Sequence, residues 1–205
     1  DVHIYAITGE ENTDYQNVHN YGDIDVLNVN VGANELFVAG FSLQLSINRS
    51  LTDSLNAGNI TIADISGTGN VYVAGVVNIN NAGDLETFSL DAPLPIATEG
   101  VLNTMNYGNI STTYSPSIYG IDGTNNLFVG GLVTLNKKSI QDSANLGTIS
   151  LVNTNTGTAT FNTDPDQYFA GIIESYTGGI VAGGVSAMAI DGNSRIYDAA
   201  NSGDV

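Results

Sequence analysis

Apolar side chains fall on every second residue through most of this chain, and that period constrains the fold more than any other feature. From Phe37 to Ile47 the odd positions are Phe37, Ala39, Phe41, Leu43, Leu45 and Ile47, and Gly40, Ser42, Gln44 and Ser46 fill the even ones beyond Val38. A two-residue period puts one set of side chains on each face of an extended strand, one toward a core and one toward water. Val71, Val73, Gly75, Val77 and Ile79 repeat the design with Asn78 and Asn80 facing out, and Leu127, Val129, Gly131, Val133 and Leu135 do so again. The same reading predicts strands over 23–31, 59–65, 85–90, 147–152, 158–162, 168–174 and 179–189. The apolar phase slips between Val26 and Leu27, which predicts a β-bulge. Clusters of Gly, Asn, Asp and Ser between these runs are turn chemistry. Helical spacing is confined to one short turn at 50–57 (SLTDSLNA), and the prolines of 91–99 (DAPLPIATE) mark a crossover, because proline is barred from a central strand.

Composition narrows what such a chain can do. Its 205 residues suit one domain, 1–205. Four Lys and Arg stand against 21 Asp and Glu, a formal net charge of -17. A nucleic-acid binder needs cations to displace the counterions of phosphates, and docking on an anionic membrane needs them too, so both partners are excluded. Hydrophobic residues make up 42% and charged residues only 12%, which separates the chain from disordered acidic tails. With no Cys there are no disulfides, thiolate metal sites or thiol nucleophiles. The longest apolar stretch, 178–190, is Gly-rich and shorter than the roughly 20 residues that span a bilayer, so no membrane insertion is expected. The first residue is Asp1, which fits a removed leader or a piece of a longer protein. The expected setting is secreted or at the cell surface.

A short motif recurs. Gly32–Gly40 (GANELFVAG), Gly67–Gly75 (GTGNVYVAG) and Gly123–Gly131 (GTNNLFVGG) are three copies, and Gly192–Ala200 (GNSRIYDAA) is a degenerate fourth. The stretch Gly58–Asn80 (GNITIADISGTGNVYVAGVVNIN) resembles bacterial surface adhesins built as parallel β-helices. Ile121–Gly130 and Ala189–Tyr197 are similar to secreted β-propeller repeats with an Asp-Gly turn before the strand. At the level of texture the chain thus resembles secreted bacterial and archaeal surface β-proteins, adhesins and filament subunits. Those resemblances imply a solenoid or a propeller. Against them, copies that start 35, 56 and 69 residues apart do not keep the constant period of stacked rungs, and runs of ten or more residues exceed solenoid strands. The expected architecture is therefore an all-β antiparallel β-sandwich or jelly roll of long strands, with a parallel β-solenoid and then a β-propeller as alternatives.

No catalytic constellation is visible. G-x-S-x-G, H-E-x-x-H and P-loop motifs are absent, and the only neutral-pH bases, His3 and His19, lie in the first twenty residues, where an edge or loop setting is expected. The chain is not expected to be an enzyme. Calcium is the single cofactor with a rationale, because hard oxygen ligands suit Asp-rich turns: Asp164 and Asp166 in TDPDQ, Asp122 before Gly123 and Asp191 before Gly192. Otherwise no cofactor is expected. Asn48, Asn59 and Asn109 head N-x-S/T sequons and are glycosylation candidates.

The N-terminal segment 1–8 (DVHIYAIT) is apolar on both faces and is followed by a polar stretch, 9–20, that reads as a linker. Val2, His3, Ile4, Tyr5, Ala6 and Ile7 form a donor-strand candidate, a strand able to complete the sheet of a neighbouring copy. The expectation is an extracellular structural or adhesive surface protein, a filament or pilus-like subunit whose main partner is itself, with carbohydrate or a host surface as a further partner. The alternatives are a carbohydrate- or calcium-binding β-module and a β-helical adhesin passenger segment.

Overall fold

The computed structural model describes residues 2–11, 14–46, 49–65, 69–80, 99–114, 127–153, 180–189, 195–197 and 199–204. The described residues wind through five turns of short strands. The first turn carries β1 (Val2–Tyr5), β2 (Thr8–Glu11), β3 (Tyr15–Gln16), β4 (His19–Asn20) and β5 (Ile24–Leu27). The second carries β6 (Leu36–Ala39), β7 (Ser42–Leu45), β8 (Ser50–Thr52), β9 (Leu55–Asn56) and β10 (Ile60–Ala63). The third carries β11 (Val71–Ala74), β12 (Val77–Asn80), β13 (Gly100–Leu102), β14 (Met105–Asn106) and β15 (Ile110–Tyr114). The fourth carries β16 (Leu127–Gly130), β17 (Val133–Asn136), β18 (Ser139–Gln141), β19 (Ala144–Asn145) and β20 (Ile149–Asn153). The fifth carries β21 (Ile180–Gly183), β22 (Ser186–Ala189), β23 (Arg195–Tyr197) and β24 (Ala200–Asn201).

Equivalent strands of successive turns pair in parallel, so five sheets form: β1-β6-β11-β16-β21, β2-β7-β12-β17-β22, β3-β8-β13-β18-β23, β4-β9-β14-β19-β24 and β5-β10-β15-β20. Register holds through the stack, as in Leu36↔Val71↔Leu127↔Ile180. This is a parallel β-solenoid. It corrects the expected antiparallel sandwich or jelly roll, since every pairing among the described strands is parallel.

Two physical reasons account for the discrepancy. First, the turns differ in length at their joints and not in their strands. The joint from second to third sheet is closed in a few residues at Leu45–Ser50 and Asn136–Ser139 but spans Asn80 to Gly100 in the third turn. The joint from fifth to first sheet likewise widens from Leu27–Leu36 to Asn153–Ile180. Insertions at corners leave stacking intact while they destroy a constant sequence period. Second, the long apolar runs are not single strands. Phe37–Ile47 breaks at Gly40 into β6 and β7, and 71–80 breaks at Gly75 into β11 and β12. The first three motif copies do stack, as β6, β11 and β16, but the fourth falls on β23 in the third sheet, and the in-register continuation is Ile180–Gly183.

The break is enforced by contact. A Cβ on Gly75 would strike the carbonyl oxygen of Gly131 in the next turn and stand 2.6 Å from Asn106 Cγ across the lumen; Gly40 and Gly131 are placed alike against Asn56 and Asn145. The corner between first and second sheets therefore points inward and pinches the interior into two lobes. One lobe holds Leu36, Val38, Val71, Val73, Leu127 and Val129 against Ile24, Ile60, Ile110 and Ile149 of the fifth sheet. The other sets Phe41, Val76 and Leu132 against Leu51, Val101 and Ile140 of the third. Phe37, Tyr72 and Phe128 alternate with members of the first lobe, so they stand on the opposite face of the first sheet, packed with Leu43 and Leu135 from the second.

The predicted helical turn at 50–57 is instead β8, a corner and β9. Asp53 takes a left-handed conformation there (φ 51°), as do Asn17, Asn103 and Asp142 at the same corner of other turns. Asn and Asp tolerate that region best among non-Gly residues, so four turns bend alike without glycine. The β-bulge expected between Val26 and Leu27 does not form; β5 runs unbroken to Leu27 and then turns at Asn28, also left-handed (φ 57°). The runs expected at 85–90, 158–162 and 168–174 lie outside the described residues.

Candidate functional site

The pinch between the lobes is lined by an asparagine ladder. Asn20, Asn56, Asn106, Asn145 and Asn201 occupy one position in five successive turns. Each Nδ2 donates to the Oδ1 of the next: 2.8 Å from Asn20 to Asn56, 2.8 Å to Asn106, 2.7 Å to Asn145 and 2.8 Å to Asn201. The second amide proton goes to the carbonyl two residues on, Gly22, Gly58, Gly108, Gly147 and Gly203, at 2.7–3.1 Å. An amide is the side chain suited to this, because it donates in one direction and accepts from the other. Each glycine lets its turn come close to the one before: a Cβ on Gly58 would strike the Gly22 carbonyl, and one on Gly108 the Gly58 carbonyl.

Other columns join the turns too. Asn78 and Asn80, expected to face out, are instead buried; Asn80 Nδ2 donates to Asn136 Oδ1 at 2.8 Å, but Asn80 Oδ1 is without a partner because the turn before offers Leu45 at that register. The hydroxyls of Ser54, Thr104 and Ser143 occupy one buried column, and Thr104 N donates to Ser143 Oγ at 3.0 Å. Phe37, Tyr72 and Phe128 stack face to face, with centroids 4.6 and 4.9 Å apart and planes within 8°, and the His3 ring meets Phe37 edge-on at 5.4 Å.

The residues singled out from sequence fall as follows. Val2–Tyr5 is β1, paired with β6 of the same chain, and Ala6 and Ile7 form the corner to β2. The stretch read as a linker, 9–20, contributes part of β2 and all of β3 and β4 to the first turn. Asn59 and Asn109 are exposed and in register, and their side chains are engaged between turns: Asn109 N donates to Asn59 Oδ1 at 3.0 Å and Thr148 N to Asn109 Oδ1 at 2.9 Å. Asn48, Asp122, Asp164, Asp166 and Asp191 lie outside the described residues. Among the described residues no three His, Asp or Glu side chains converge on a metal position. No described helix is long and apolar enough to cross a membrane.

Electrostatics follow the same economy. Gln16 Nε2 and Asn103 Nδ2, from the turns on either side, donate to Asp53 at 2.8 and 2.6 Å, and these bonds hold its carboxyl below the usual aspartate value. Burial, and next the Glu35 carboxylate, push the Tyr72 hydroxyl well above the ordinary tyrosine value. The buried ammonium of Lys138 is paired with Glu99 at 3.1 Å. Among the described residues the columns bind turn to turn.

The N-x-G repeat was the missed signal. Asn20-Tyr-Gly-Asp-Ile, Asn56-Ala-Gly-Asn-Ile, Asn106-Tyr-Gly-Asn-Ile, Asn145-Leu-Gly-Thr-Ile and Asn201-Ser-Gly-Asp-Val are five aligned copies, one per turn. Fold and ladder together define a parallel β-solenoid with a polar seam along its interior. Comparison with family models, with curated proteins and with solved structures finds no match.

Proposed function

We propose that this chain is an extracellular structural and adhesive surface protein, a stiff β-solenoid whose work is done by its outer faces. The observation that supports this reading is the asparagine ladder through all five turns. A seam of this kind spends its buried polar groups on cohesion and leaves the walls to vary. The excess of acid over base and the lack of Cys agree with a surface setting. The test is antibody labelling of intact source cells: signal without permeabilisation is expected, and signal only after permeabilisation would refute the surface assignment.

Self-association belongs to the same reading, by strand complementation at the ends of the stack. Among the described strands, β1–β5 at one end and β21–β24 at the other use one edge each. Sedimentation of the purified chain over a wide concentration range checks this. Growing linear species are expected, and a monomer at every concentration would contradict it.

A further inference from the structure

The residue between Asn and Gly in each copy of the repeat points away from the ladder, and these residues form a column on the wall: Tyr21, Ala57, Tyr107, Leu146 and Ser202. They are held in line by backbone bonds to the preceding turn, Ala57 N to Asn20 O at 2.8 Å, Tyr107 N to Asn56 O at 2.7 Å, Leu146 N to Asn106 O at 2.7 Å and Ser202 N to Asn145 O at 3.0 Å. Tyr21 is 68% exposed, Tyr107 53% and Leu146 36%. The fold does not require aromatics here, since Ala57 and Ser202 serve the same position. Of the exposed large apolar side chains among the described residues, Tyr21, Tyr107 and Leu146 fall in this one column.

We propose that this column binds an uncharged β-1,4-linked polysaccharide running along the solenoid axis. The inference deepens the adhesive reading and rests on it. Three observations choose the ligand. Tyr21 and Tyr107 are two turns apart, about 10 Å at the spacing of paired strands. In a flat β-1,4-linked ribbon every second ring shows the same face, at close to that interval, so each tyrosine meets an equivalent sugar face while the small Ala57 leaves room for the ring between. The flanking column carries Asp23, Asn59 and Asn109, carboxylate and amide groups suited to sugar hydroxyls, and their acid together with the net charge of -17 repels anionic glycans. The Tyr21 hydroxyl shares a hydrogen bond with His19 Nδ1 at 3.3 Å, which restrains that ring before a ligand arrives.

The test is a pull-down of the intact chain on particles of cellulose and of chitin, with starch and alginate as comparison arms. Binding to at least one β-1,4-linked particle and to neither comparison is expected. Tyr21→Ala and Tyr107→Ala should each weaken binding by about twofold to tenfold, the range for one aromatic stacking contact, while Tyr107→Phe keeps it. Ala57→Arg should block binding while the circular dichroism spectrum stays unchanged, which separates loss of the surface from loss of the fold. Binding to starch or alginate alone, binding indifferent to the tyrosines, or no binding to either β-1,4-linked particle overturns the inference. Antibody labelling of intact cells decides the surface reading separately, so the two can fail independently.

Discussion

Replacing Asn106 by Ala tests the ladder at its centre. Asn106 is fully buried; it accepts from Asn56 at 2.8 Å and donates to Asn145 at 2.7 Å and to Gly108 O at 2.9 Å. Three hydrogen bonds at about 1 kcal/mol each give a floor near 3 kcal/mol. The truncation also strands one buried donor, Asn56 Nδ2, and two buried acceptors, Asn145 Oδ1 and Gly108 O, and an unpaired buried polar group costs more than the bond it lost, which brings the expected loss to about 5 kcal/mol. That is a large share of the roughly 5–15 kcal/mol that holds a typical domain together. Asn201→Ala is the comparison, because Asn201 is exposed and among the described residues has one ladder neighbour; its two bonds, from Asn145 and to Gly203 O, can be replaced by water, and a loss of about 1–2 kcal/mol is expected there. Equilibrium unfolding in urea measures both. Equal losses for the two variants, or a loss below about 1 kcal/mol at Asn106, would refute the claim that the seam holds the turns together.

Three further outcomes follow from the same geometry. Gly75→Ala should cost more than 2 kcal/mol or so in thermal or urea unfolding, because the added methyl meets backbone of the next turn and the Asn106 side chain, neither of which can yield cheaply; an unchanged midpoint would contradict the inward corner. Tyr72 keeps its proton in the folded state beyond the point where the unfolded chain loses it, so its contribution is complete below about pH 10 and is lost as pH rises. Alkaline unfolding should therefore move to higher pH in Tyr72→Phe. Asp53 behaves in the opposite sense: its contribution is present above the ordinary aspartate value and disappears as pH falls through its lower folded value. Gln16→Ala, which removes the larger cause, should raise the Asp53 titration midpoint observed by NMR.

Strand content was readable from the two-residue period, since Val71, Val73, Leu127 and Val129 do share one face toward a core, but the expected face Phe37–Leu45 divides, with Phe37 and Leu43 in one cluster and Phe41 and Leu45 in another. How the strands pair was not. In an antiparallel sandwich the alternate residues Phe37, Tyr72 and Phe128 would meet water or a second sheet, whereas here they stack on one another across turns. Stacking of like on like is a relation between distant residues, and periodicity within a strand carries no trace of it. Unequal insertions at two corners hid it further, because they spread the copies of one motif over intervals no regular repeat would show. The ladder was legible in principle, as an Asn and a Gly separated by one variable residue, but the abundance of both residue types made each copy look like an ordinary turn. The variable residue was the harder part: Tyr21 and Tyr107 become a pair only once the turns are stacked.

The parallel in-register stack is open to a direct measurement, because the chain has no Cys of its own. Ser111 and Ser150 are partners on neighbouring strands and are not buried. Paired strands lie about 4.8 Å apart, inside the Cα separation a disulfide accepts. The double variant Ser111→Cys, Ser150→Cys should close a disulfide under mild oxidation and migrate faster on a non-reducing gel, while Thr113→Cys with Ser150→Cys, two residues out of register, should stay open. Closure of the second pair in preference to the first, or of neither, would contradict the solenoid.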